Sequence, residues 1–198
     1  FIEFFEYVFD SGWNSILVHQ DLPKKFIPHL GSFKNTLFLH RLIQIIVEFT
    51  ISEDGNERPK AKIEEYYFNK ISDGLTPLIP EKLGASILLT LVQIIEDSYK
   101  VYPYSFIFLR SIHQFENDDE KNLIGSYAEL VAYFTKRIID NIRKKDIIDA
   151  VYVFRNIDID ILVKLKIYFF DVHYESVKEV FWEWFQTQDA PIFDDLLY

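Results

Sequence analysis

The segment from Leu37 to Phe49 is apolar on nearly every side of a helix. Nine of its thirteen residues are hydrophobic, namely Leu37, Phe38, Leu39, Leu42, Ile43, Ile45, Ile46, Val47 and Phe49. A helix without a broad polar face is stable in water only when other elements surround it. The segment therefore predicts a central, buried helix with the rest of the chain packed around it.

A second helix is indicated over residues 117–142. Its apolar residues recur at helical spacing, namely Leu123, Tyr127, Leu130, Val131, Phe134, Ile138 and Ile142. It opens on the acidic run 117–120 and closes on the basic run 143–145. This order of charges complements the dipole of a helix, so the pattern predicts one long helix.

Glycine and proline separate the remaining helical patterns. The chain has six Gly and seven Pro, and Pro23 and Pro28 predict a break after the helix predicted at residues 14–20. The predicted helices cover residues 1–9, 14–20, 61–71, 81–100, 104–115, 146–155, 160–171 and 176–185. No segment shows the sustained alternation of a strand. We expect an all-α fold of irregular helical hairpins in a HEAT-like α-solenoid segment, with a compact helical bundle as the alternative.

The domain organisation follows from length and from two polar stretches. A chain of 198 residues fits a single all-helical domain or solenoid segment. Residues 72–80 contain Gly74, Pro77 and Pro80 and form a possible subdomain hinge. Residues 52–60 are polar and charged, and we expect a mobile loop there. A first residue of Phe leads us to expect a piece of a longer protein.

Composition restricts the environment and the partners. The chain has no Cys, so it forms neither disulfides nor thiolate metal sites. Its apolar runs fall short of the roughly 20 residues that a membrane span needs. No secretory signal or Asn-x-Ser/Thr sequon is visible, which favours an intracellular, cytoplasmic or nuclear location. The net charge of −10 opposes nucleic-acid binding, because phosphate backbones are negative as well.

Motifs for catalysis and cofactors are missing from the sequence. Gly-x-Gly, Gly-Lys-Ser/Thr and Gly-x-Ser-x-Gly do not occur, and no two His are four residues apart. Asp171, His173 and Glu175 form one local group of ligand types, and their alternate spacing at a helix end is typical of a solvated turn. We predict no enzymatic activity, no cofactor and no metal site.

A basic group follows the long predicted helix. It comprises Lys136, Arg137, Arg143, Lys144 and Lys145, which we call the basic edge. Such residues complement the negative end of a helix dipole, and they also suit an acidic protein surface or nucleic acid. A nucleic-acid-associated helical module using this edge is therefore an alternative function.

The end of the chain is rich in aromatic residues. Residues 181–185 hold four aromatic side chains, which point in different directions on a helix and so cannot all enter one core. We predict a hydrophobic contact through Trp182, Trp184, Phe193 and Leu196 with other protein subunits. The expected function is a non-enzymatic helical scaffold or adaptor in a larger assembly. An enzyme with an unrecognised pocket is the remaining alternative.

Overall fold

Helices dominate the part of the chain that the structure describes. A computed structural model describes residues 3, 6, 7, 17–30, 35–51, 58–102, 127–154, 157 and 159–187. Within these ranges the predicted all-helical character is confirmed, apart from one pair of short strands. The elements in chain order are a π-helix Leu17–Phe26, α1 Ile27–Leu30, α2 Thr36–Val47, β1 Phe49–Ile51, β2 Pro59–Ala61, α3 Glu65–Leu75, α4 Ile79–Leu83, α5 Ser86–Val101, α6 Tyr127–Asp140, a 3₁₀ turn Lys144–Asp146, α7 Ile147–Val153, α8 Asp160–Val172 and α9 Tyr174–Phe185.

Helix α2 is buried as the sequence predicts. Asn35 caps its start, because the side-chain oxygen accepts a hydrogen bond from the backbone N–H of Phe38 at 3.1 Å. The buried residues of α2 are Phe38, Leu39, Leu42, Ile43, Ile45, Ile46 and Val47. Leu37 is the exception and is exposed in the first turn of the helix. The helix packs against α5 and α4.

A two-stranded antiparallel ladder follows α2, and the sequence analysis missed it. Phe49 pairs with Ala61 and Ile51 with Pro59. Strands of three residues are too short to show alternation, which is why the pattern gave no signal. As a result Phe49 leaves the helix predicted for it, and the helix predicted at 61–71 begins only at Glu65. The predicted mobile loop ends within β2, and its residues 52–57 lie outside the described ranges.

The helix predicted at 81–100 is two helices. Gly84 adopts φ 56°, which residues with a side chain rarely adopt, and it ends α4 before α5 begins at Ser86. A Cβ at position 84 would lie 3.0 Å from Asp146 Oδ1. The break therefore brings the start of α5 against the turn before α7, in direct contact at that point.

The break predicted at Pro23 and Pro28 is wrong. The helical backbone continues from the π-helix through Pro23 into α1. Pro28 is the second residue of α1, so it too lies inside the helical stretch. The predicted helix at 14–20 thus extends to Leu30, and its first residues lie outside the described ranges.

The C-terminal half forms successive helical contacts that position the last helix. Helix α5 packs against α6 and α7, α6 packs against α8, and α8 packs against α9, which also contacts α7. The helix predicted to start at Ser176 begins at Tyr174, because the chain turns at His173. Residues 72–80 contribute Leu75 and Ile79 to the core, and a hinge there stays a prediction.

Candidate protein-interaction surface

Helix α9 packs against the core through one side only. Val177 is its single buried residue, while Val180, Phe181 and Trp184 are partly buried against the core. Trp184 stacks on Phe170 of α8, with ring centroids 5.5 Å apart and an interplanar angle of 29°. Phe181 meets the same Phe170 ring at 5.3 Å. One aromatic ring of α8 therefore holds two rings of α9.

One lysine of α8 and one of α6 are buried. Lys166 of α8 is 3% exposed, and its Nζ lies 4.5 Å from the Trp184 ring centroid. Lys136 of α6 is 7% exposed, pairs with Asp140 at 3.2 Å and lies over the Tyr168 ring. Tyr168 donates its hydroxyl to Asp140 at 2.5 Å. Buried ammonium groups need such partners, because an unpaired charge is costly away from water.

Four aromatic residues of α9 form a chain of ring contacts that runs from the core contact to the surface, which we call the aromatic face: Tyr174, Phe181, Trp182 and Phe185. Trp182 is 48% exposed, and Tyr174 is also exposed. The indole Nε1 of Trp182 donates to the Tyr174 hydroxyl at 3.2 Å. Phe181 and Phe185 lie at 5.1 and 5.3 Å from the Trp182 ring. Trp182 and Tyr174 thus lie at the surface, supported by Phe181 and Phe185, which are half-buried.

An acidic row runs along α9 beside the aromatic face. It consists of Glu175, Glu179 and Glu183, all exposed and four residues apart, so they share one side of the helix. Glu175 pairs with Lys178 at 4.0 Å, and both side chains are more than half exposed. An ion pair this long and this wet contributes little energy. The row therefore keeps its negative character at the surface.

The predicted hydrophobic contact residues have different positions. Trp182 is at the surface, whereas Trp184 is turned toward α8 and helps to hold α9 in place. Phe193 and Leu196 lie outside the described residues. Tyr174 was not among the predicted contact residues, although it precedes Trp182 by eight residues and so falls on the same side of a helix. Spacing was the signal that would have found it.

The five residues of the basic edge are divided among different environments. Lys136 is buried and paired with Asp140, Arg137 pairs with Asp73 of α3, and Arg143 pairs with Asp146 at 2.8 Å. Lys144 and Lys145 are exposed in the 3₁₀ turn. The burial of Lys136 runs against its place on a surface edge, because α8 covers that part of α6. An electrostatic contact through the remaining residues stays a prediction.

A cleft of about 440 Å³ opens between the α4–α5 turn and α7. Its lining mixes apolar residues such as Leu83 and Val153 with polar ones, and the charged pair Arg143 and Asp146 occupies one wall. Lys82, Ser86 and Asp149 also line the cleft.

Polar residues also meet where α3 lies beside α6. Glu65 and Glu129 repel each other, and partial burial followed by this repulsion raises the pKa of Glu65 above its ordinary value. Two turns along, Arg137 pairs with Asp73. Like charges at one end and opposite charges at the other make this contact sensitive to protonation.

The group of Asp171, His173 and Glu175 lies where α8 ends and α9 begins. His173 is engaged there, since its Nε2 lies 2.9 Å from the Ile139 carbonyl oxygen and its ring meets Phe169. Across the described ranges, no three His, Asp or Glu side chains are grouped to hold a metal ion. Nor does any helix in those ranges combine the length and the apolar character that crossing a bilayer requires.

Comparison with protein-family models, with curated proteins and with solved structures finds no match to this chain.

Proposed function

We propose that this chain is a non-enzymatic helical scaffold or adaptor subunit that binds another protein through the aromatic face. The observation that carries the proposal is the exposure of Trp182 within a group of contacting aromatic rings. Trp and Tyr dominate the binding energy of protein interfaces, because they bury a large area with few rotatable bonds. Burial of a partly exposed cluster of aromatic rings by a partner is favourable.

Preorganisation of the surface supports the same function. The hydrogen bond between Trp182 and Tyr174 fixes two rings of the aromatic face relative to each other. On the inner side, Trp184 is held between Phe170 and Lys166. A partner that docks on α9 therefore pays little for ordering side chains, which leaves more of the contact energy as affinity.

Contacts between elements distant in sequence favour the compact bundle over the HEAT-like arrangement. Tyr127 of α6 donates its hydroxyl to the carbonyl of Val47, at the end of α2, and β2 packs against α6. In a solenoid each repeat contacts its neighbours in sequence. The scaffold is therefore proposed as a closed bundle that presents α9 at its surface. Small-angle scattering that gives an elongated particle would support the solenoid instead.

The experiment is a binding comparison between the parent chain, Trp182→Ala and a matched control, Tyr66→Ala. Tyr66 is an exposed tyrosine on α3, so the control removes an aromatic ring from a different surface. Proteins captured by the immobilised parent are identified, and one is purified for titration calorimetry. Loss of a central interface tryptophan costs about 2 kcal/mol or more. We expect the affinity to fall at least tenfold for Trp182→Ala and to stay unchanged for Tyr66→Ala.

The result that contradicts the proposal is equally direct. If the purified partner binds Trp182→Ala as tightly as the parent, while circular dichroism shows that both are folded, the aromatic face is not its binding surface.

A further inference from the structure

We infer that the partner of α9 is a basic amphipathic helix, whose apolar stripe covers the aromatic face and whose Lys or Arg side chains meet the acidic row. This inference rests on the proposed function and adds the chemical class of the partner. It follows from the order of side chains around α9. Tyr174, Phe181 and Phe185 occupy one strip, Lys178 and Trp182 lie along its edge, and Glu175, Glu179 and Glu183 follow beyond Trp182.

The acidic row is well placed to read positive charge. The Glu175 side chain is 87% exposed, and its pairing with Lys178 at 4.0 Å is loose enough to be exchanged for a partner cation. The carboxylates recur once per turn, about 6 Å apart along the helix. Basic residues at the same interval on a facing helix would meet all three. The regular spacing of the carboxylates therefore favours a partner helix with several basic side chains over a single bound cation.

Apolar and basic contacts reinforce each other at this boundary. Lys and Arg side chains lay their aliphatic stems along apolar surface while the charged ends stay in water. A basic residue reaching across Trp182 to Glu175 or Glu179 would therefore cover the indole and gain a cation–π contact. The net charge of −10 attracts a positive partner from a distance as well. An anionic membrane or nucleic acid would be repelled by the same row.

The proposal also specifies the size of the partner. Helix α9 has twelve residues, and a helix of about three turns is enough to cover it. Helices that dock in this manner place apolar residues three and four positions apart. A charged residue beside each apolar one on the partner would lie above the acidic row.

The experiment uses two synthetic helical peptides of about 18 residues without Trp. Both carry Leu at positions i, i+3, i+4 and i+7; one is flanked by Lys, and the other by Glu at the same positions. Binding to the full chain is followed by calorimetry and by the fluorescence of its tryptophans. We expect the Lys-flanked peptide to bind at least tenfold more tightly, and its affinity to fall as salt is added.

Three variants separate local recognition from the overall charge. Glu175→Lys, Glu179→Lys and Glu183→Lys are combined in one chain. The matched control combines Glu64→Lys, Glu81→Lys and Asp149→Lys, which are exposed acids elsewhere and change the net charge equally. We expect the first to reverse the preference toward the Glu-flanked peptide and the second to keep it. Trp182→Ala should weaken both peptides.

Several outcomes would overturn the inference. It fails if the two triple variants weaken the Lys-flanked peptide equally, because overall charge would then explain the binding. It also fails if the parent binds neither peptide, or if it binds phosphatidylserine vesicles through Trp182 instead. If both peptides bind equally and both need Trp182, the charge inference is wrong while the proposed protein-binding function stands. Thermal unfolding of each variant confirms that it is folded.

Discussion

The Nζ of Lys166 lies 4.5 Å from the ring centroid of Trp184, inside the contact between α8 and α9. Lys166 is almost fully buried, so its ammonium group has lost most of its water and gains correspondingly from the electron-rich ring. Trp184 faces inward at this contact, whereas Trp182, two residues earlier, is exposed. A buried charge on α8 therefore contacts the tryptophan of α9 that faces inward.

A double-mutant cycle tests the energetic coupling of this pair. Lys166→Met keeps the apolar stem and removes the charge, while Trp184→Leu keeps an apolar side chain and removes the ring. We expect the two substitutions to be non-additive by about 1 kcal/mol, the size of a partly desolvated cation–π contact. Urea unfolding of the parent, both single variants and the double variant gives the coupling. Additive effects would mean that the two side chains stabilise the fold independently.

Tyr127→Phe tests the link between α6 and the end of α2. The Tyr127 hydroxyl donates to the Val47 carbonyl, and its ring packs 5.3 Å from that of Phe49. Phe keeps the ring and leaves a buried carbonyl without its donor, which costs about 1 to 3 kcal/mol of unfolding free energy. Chemical denaturation at neutral pH measures this loss. An unchanged midpoint would show that the carbonyl has another donor.

Alkaline pH supplies an independent readout for Tyr127. Burial, and then the nearby Glu48 charge, raises the pKa of Tyr127 far above its ordinary value. In the unfolded chain the phenol ionises above about pH 10, while in the folded chain it stays protonated. Above about pH 10 the folded state therefore holds one more proton than the unfolded state, so the free energy of unfolding falls as the pH rises. The advantage of the parent over Tyr127→Phe should therefore shrink above pH 10.

Glu65→Gln tests the repulsion between α3 and α6. The pKa of Glu65 is raised in the folded state, so its protonated form is favoured there and its ionised form is destabilising. The stabilising contribution of protonated Glu65 is fully present below the ordinary carboxyl pKa near pH 4, and it is lost as the pH rises through the folded pKa. We expect Glu65→Gln to raise the melting temperature at pH 7 and to match the parent at pH 3. The exposed neighbour Glu64→Gln is the control, and an equal gain from it would remove the role of Glu129.

Helical periodicity predicted the elements that are long and one-sided. The spacing of Leu130, Phe134 and Ile138 defines one side of α6, and these residues are buried as expected. Periodicity says nothing about what covers the other sides. Lys136 is therefore indistinguishable from a surface lysine until α8 is in place with Tyr168.

The site was predictable to the same limited degree. The aromatic run 181–185 indicated that some ring must be exposed, because one helix side cannot accept them all. Which ring it would be depended on Phe170 and Lys166, two residues of another helix. Short-range patterns could not supply that information, and the three-residue strands β1 and β2 were missed for lack of length.

The close approach of Gly84 to Asp146 makes the residues allowed at position 84 depend on the residue at position 146, which is distant in sequence. Any side chain at position 84 would meet both an unfavourable backbone angle and the Asp146 carboxylate. During divergence, position 84 would therefore tolerate replacement only after position 146 had become smaller and the α4–α5 turn had changed its course. Descendants of this chain should therefore not replace Gly84 while they keep Asp146, whereas Asp146 can be replaced while Gly84 is kept.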